Sequence, residues 1–76
     1  MNKTDKALGL LRQGKFAEAL AIISKFRIGF TKDERRTLEI AHESLVGNAS
    51  FYENIGIDTQ FCISKAREII RNKYHI

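Results

Sequence analysis

The sequence predicts an all-α fold, a small bundle of four to five helices forming one domain over residues 1–76. Three observations carry that prediction. The chain has no proline, the residue that breaks helix interiors. Glycines at 14, 29, 47 and 56 each follow a helix-like run, the usual place for a left-handed residue that closes a helix. Within the runs, apolar residues return at three- and four-residue spacings, and no stretch alternates long enough to argue a strand.

The first run covers about residues 4–13. Asn2 or Thr4 suits its cap, and Asp5 lies near the positive end of the helix dipole. Ala7, Leu8 and Leu11 make its apolar edge, which Leu10 widens. The second run covers about residues 15–28. Phe16, Ala19, Leu20, Ile23 and Phe26 fall on one stripe, with Glu18 and Lys25 opposite, and Gly29 is expected to end it. The third run opens on Thr31-Lys32-Asp33-Glu34, a capping box with a hydroxyl at the cap and a carboxylate three residues on. Leu38, Ala41 and Leu45 form its main stripe, Ile40 points away from it, and Gly47 ends it. A two-sided apolar pattern predicts a helix that touches more than one neighbour. Arg35 and Glu39 are spaced for an i,i+4 ion pair. Ser50-Phe51-Tyr52-Glu53 reads as a second capping box, with room for a turn or two before Gly56. Asp58 caps the last run, about residues 58–74, whose stripe is Cys62, Ile63, Ala66, Ile69, Ile70 and Tyr74.

Size and charge narrow the function classes. A chain of 76 residues is too short for most multi-domain enzyme folds. It buries only about 60% of its unfolded surface, so it must pack well or gain stability from a partner or a second copy. Its single cysteine excludes an internal disulfide framework and an all-cysteine metal site. The net charge is +4, unevenly spread. Residues 1–30 carry six basic and two acidic side chains, residues 31–56 three and five, and residues 57–76 four and two. An acidic middle between basic ends argues against one continuous nucleic-acid-binding stripe. The N-terminal residues do not read as a signal peptide, and no stretch approaches the ~20 apolar residues of a membrane span. A reduced cytoplasmic setting without membrane contact is the expectation.

The segment Ala7-Leu8-Gly9-Leu10-Leu11-Arg12-Gln13-Gly14-Lys15-Phe16-Ala17-Glu18-Ala19-Leu20 resembles the inter-helix region of a tetratricopeptide repeat. That family sets small and apolar residues on a first helix, a glycine at the turn, an aromatic two residues later, and then Glu-Ala-Leu/Ile. The resemblance covers residues 4–28 and implies a helical hairpin at the start of the bundle. The pattern does not recur, so the groove of a repeat array is not implied. More loosely, Phe26-Arg27-Ile28-Gly29, Thr31-Lys32-Asp33-Glu34, Ile40-Ala41-His42-Glu43, Phe51-Tyr52 and Gly56-Ile57-Asp58 in succession resemble small uncharacterised helical proteins of phages and mobile elements. That resemblance implies an accessory role and no mechanism.

Candidate chemical groups are few. Glu39 and His42 make one Glu-x-x-His, where carboxylate-bridged metal bundles need paired copies. A rim histidine is the expected reading, as a chain-terminal position is for His75. Cys62 falls on the last apolar stripe, which favours a structural thiol over a nucleophile. No Ser-His-Asp arrangement, phosphate-cradling glycine loop or paired acid site stands out. No enzyme activity, cofactor or metal is expected.

Residues off the stripes point to partners. Phe30, Tyr52, Ile55 and Ile57 lie in or near turns, where they either lid the core or form an apolar patch. Phe61 lies off the last stripe. Arg67 and Arg71 share one side of the last helix, Lys65 takes the other with Glu68 between, and Lys73 adds a fourth cation. The candidate partner contacts are therefore Phe30, Tyr52, Phe61, Arg67 and Arg71. The leading expectation is a small protein-binding module, an adaptor or inhibitor of a larger protein, with a homodimer as one form. The alternative is nucleic-acid binding through the basic terminal helices.

Overall fold

Side-chain caps start three of the five helices of the computed structural model, which describes residues 2–75. The first and last positions of the expected 1–76 domain lie outside the described residues. Asn2 accepts a hydrogen bond from the Asp5 backbone N–H at 2.8 Å and opens α1 (Lys3–Arg12). A tight turn at Gly14 leads into α2 (Phe16–Ile23). The Thr31 and Glu34 side chains bond each other's backbone N–H at 3.1 and 2.9 Å, completing the capping box of α3 (Lys32–Glu43). The chain then passes through a wide turn at Ser44–Asn48, kinked at Gly47, and restarts as α4 (Ala49–Asn54). Asp58 accepts from the Phe61 N–H at 3.1 Å and opens α5 (Thr59–Tyr74). Among the described residues the protein is all-α, with five α-helices and no strand. None of these helices is long and apolar enough to cross a membrane.

All four punctuating glycines carry positive φ, from +78° at Gly14 to +117° at Gly47. The value at Gly47 matters most. An L side chain is strained there, so glycine lets the chain leave one helix and begin α4 across only Gly47 and Asn48.

The helices bury their apolar stripes against one another. α3 packs most extensively on α5, α1 packs on α2 across the turn, and α2 joins the two pairs through α3. The core comprises Ala7, Leu20, Ile23, Leu38, Ala41, Ala66, Ile69 and Ile70. Leu20, Ile23, Leu38 and Ile70 are its largest fully buried apolar members, each contributing about 1.5–3 kcal/mol by leaving water. Ala7, Ala19, Ala41 and Ala66 are also fully buried, and their small side chains let helix backbones approach closely. Phe16, Phe26, Phe30, Ile63 and Tyr74 pack around this centre. Ile40 is buried apart from the main cluster, as its position off the stripe predicts.

Four expectations need correction. α2 stops at Ile23 rather than running to residue 28. The Lys25 and Phe26 N–H groups bond Ile22 and Ile23 carbonyls three residues back, which tightens the chain out of α-geometry. Phe26 nevertheless reaches the core from this turn. Leu45 is 40% exposed, because the wide turn carries it past the end of the α3–α5 contact. Ser50 does not cap α4; the helix restarts at Ala49, which leaves Ser50 inside its first turn. Arg35 and Glu39 form no ion pair, and the Arg35 Nε atom is buried without a hydrogen-bond partner. An i,i+4 pair contributes only about 0.2–0.5 kcal/mol net, so the fold loses little without it.

Candidate functional site

Two surfaces stand out from the packed framework. The first is the corner built by the wide turn, α4 and the start of α5. Among the described residues six large apolar side chains are exposed, and five of them, Leu45, Val46, Phe51, Ile55 and Phe61, lie between residues 45 and 61. Phe51 on α4 and Ile55 at its C-cap are 62% and 59% exposed, and Phe61 is 65% exposed on the first turn of α5. α4 fully buries no side chain. Polar bonds hold it in place instead. The Tyr52 hydroxyl donates to the Glu43 carboxylate at the end of α3. The buried Thr59 hydroxyl donates to the Glu53 carboxylate at 3.4 Å, linking α4 to α5. The Tyr52 and Phe51 rings meet edge to face, with centroids 5.2 Å apart. Hydrogen bonding to Glu43, followed by burial and the charge of that carboxylate, pushes the Tyr52 hydroxyl above the ordinary tyrosine pKa.

The second surface is a cleft of about 280 Å³ lined by Leu11, Arg12, Phe16, Arg67, Ile70 and Arg71. Arg67 and Arg71 project from successive turns of α5, and Arg12 comes from the last turn of α1. The Arg67 guanidinium carbon lies 4.2 Å from the centroid of the Phe16 ring, a cation–π contact. Among the described residues the only ion pair is Lys65–Glu68 at 3.5 Å, so no carboxylate neutralises the three arginines. A hollow of about 330 Å³ nearer the start of α3 differs in kind. There Arg27, Lys32, Arg35 and Arg36 share the lining with Asp33 and Glu39.

The expected contact residues divide between these surfaces and the core. Phe61 belongs to the apolar corner, and Arg67 and Arg71 share the cleft. Tyr52 sits half-buried at the edge of the corner, with its hydroxyl occupied by Glu43. Phe30 instead lids the core. Its ring packs edge to face on Tyr74 at 6.4 Å, with the Lys73 ammonium 5.7 Å from its centroid. Sequence reasoning missed Leu45, Val46 and Phe51 as exposed groups, and Arg12 as a partner of the α5 arginines. The pattern within a helix shows which residues share a face. It does not show whether a neighbouring helix covers that face.

The remaining chemical candidates stay apart. Cys62 is half-buried, and burial, reinforced by the nearby Asp58 charge, pushes its thiol pKa up, away from the thiolate form that attacks electrophiles. Among the described residues no three His, Cys, Asp or Glu side chains gather closely enough to hold a metal ion. Comparison of the chain with protein-family models, with curated proteins and with solved structures returned no match.

Proposed function

We propose that this chain is a small non-enzymatic protein-binding module, an adaptor or an inhibitor of a larger protein, that docks through the corner at residues 45–61. The observation that carries the reading is the concentration of five exposed large apolar side chains between residues 45 and 61, on and around a short helix that fully buries none of its own side chains. A helix of six residues does not persist on its own in water. Here it is held by Tyr52 and Thr59 while Phe51 and Ile55 face solvent. Large exposed apolar side chains gathered in one region mark sites where partners dock, and aromatic residues dominate the binding energy of such sites. The tetratricopeptide-like pattern at residues 4–28 is in keeping with a helical scaffold for such a module, although the peptide-binding groove of a repeat array does not carry over to a single hairpin. An accessory protein of a phage or mobile element is the setting that the looser resemblance suggests.

The competing reading, nucleic-acid binding by the basic ends, has weaker support. Lys65 is paired with Glu68, Lys73 lies over Phe30, and the middle of the chain is acidic. The cations therefore do not line up as a phosphate track.

The test compares wild type with a Phe51→Ser, Phe61→Ser double variant. Affinity capture from an extract of the source cells is combined with light scattering to give the oligomeric state. Wild type is expected to hold a stoichiometric protein partner or a second copy. The double variant is expected to lose it while keeping the same helical circular dichroism. A wild-type chain that is monomeric and captures no stoichiometric protein would refute the reading, as would capture that survives the double substitution.

A further inference from the structure

The arginine cleft has a composition that folding alone does not require. Its floor is apolar, from Leu11, Phe16 and Ile70, and its rim is cationic, from Arg12, Arg67 and Arg71. Among the described residues no acidic side chain pairs with any of the three. Like charges gathered over a low-dielectric surface repel, and the empty cleft carries that repulsion. The Phe16 ring holds Arg67 in place without neutralising it. Arg67 is thus ordered before any ligand arrives, which lowers the entropy cost of binding. Guanidinium groups suit carboxylates in particular, because their planar fork matches two oxygens at once.

We propose that this cleft binds an acidic peptide segment of a partner protein, one apolar side chain flanked by carboxylates. The apolar side chain rests against Leu11 and Ile70, and the carboxylates reach Arg12 and Arg71. At about 280 Å³ the cleft has room for a side chain or two rather than for a whole cofactor. A nucleic-acid strand fits less well. Sequence-tolerant strand binding needs open aromatic faces on which bases stack, and Arg67 covers the face of Phe16. The proposal rests on the reading of the chain as a protein-binding module and gives that module a second contact of defined chemistry.

The experiment is an NMR titration of isotope-labelled full-length protein with three probes. The first is a short peptide with one leucine between glutamates. The second is the same peptide with serine in place of leucine. The third is a short thymidine oligonucleotide. The leucine peptide is expected to shift Leu11, Phe16 and Ile70 saturably and to bind more tightly than the other two. An Arg12→Ala, Arg71→Ala variant is expected to weaken its binding about ten-fold or more. Both side chains are exposed, so the fold should persist, and an unchanged helical spectrum checks it. Arg71→Lys keeps the charge and loses the fork, and is expected to weaken binding by a smaller factor. Equal binding of the serine peptide, tighter binding of the oligonucleotide, or unchanged binding by the double-alanine variant would each overturn the proposal. A cleft that takes no peptide, in a protein whose partner capture still depends on Phe51 and Phe61, would end this inference and leave the module reading standing.

Discussion

Tyr52 ties α4 back to α3 through one hydrogen bond to Glu43, and that bond makes the fold sensitive to alkali. The tyrosine pKa is raised in the folded chain and ordinary, about 10, in the unfolded chain. Its full contribution is therefore present below the ordinary value and is lost as pH rises through the folded one. Above that point the hydroxyl gives up the proton it donated, and the resulting phenolate faces the Glu43 carboxylate. Burial raises Tyr74 as well, so it acts in the same direction. Tyr52→Phe should cost about 0.5–1.5 kcal/mol at neutral pH and flatten the alkaline loss of stability. Urea melts across neutral to strongly alkaline pH would show it, and an alkaline slope identical to wild type would count against the role of this bond. Bonds of this reach are hard to read from sequence. The caps at Asn2, Thr31 and Asp58 were legible because each spans three residues. The Tyr52–Glu43 bond spans nine residues and exists only because the chain reverses at Gly47.

At the scale of the element, two glycines give opposite expectations for one substitution. Gly9 lies inside α1, and a Cβ there would meet no atom within 4 Å. Gly9→Ala should stabilise the protein by about 0.5–1 kcal/mol, since alanine loses less backbone entropy in a helix. A Cβ at Gly47 also finds open space, but the backbone stands at φ +117°. Gly47→Ala should therefore cost at least about 1–2 kcal/mol through strain alone. Thermal melts of the two variants should move in opposite directions, and shifts of the same sign would contradict this account. The positions of the four turns were legible because glycine there answers a backbone requirement. The end of α2 was not. Residues 24–28 keep a helix-like composition, and only the packing of Phe26 from a tighter turn shows that the helix has stopped.

For the whole molecule, the apolar stripes and the helices that carry them were readable, whereas the surfaces between helices were not. Leu38 and Leu45 share one stripe, yet one is fully buried and the other is 40% exposed. The difference lies in where α5 runs beside α3, which a single helix's pattern does not contain. Arg12 meets Arg67 and Arg71 only through tertiary packing, across a separation in sequence that no periodicity bridges. This contrast between core and corner is measurable. Leu38→Ala should cost about 2–5 kcal/mol, the usual range for a buried leucine. That is a large share of the roughly 4–11 kcal/mol expected for a domain of this size. Phe51→Ser, on the exposed corner, should stay within about 0.5 kcal/mol of wild type. Chemical denaturation of both would decide it, and equal losses would mean that the corner is part of the core.

The four buried alanines add little to the apolar surface that unfolding exposes. With 76 residues the heat-capacity increment is about 1 kcal/mol/K, and the stability curve is shallow with temperature. In so short a chain the melting entropy is small as well, and each 1 kcal/mol gained from a bound partner raises Tm by about 4–8 °C. Differential scanning fluorimetry would therefore register occupancy of either surface before the occupant has a name.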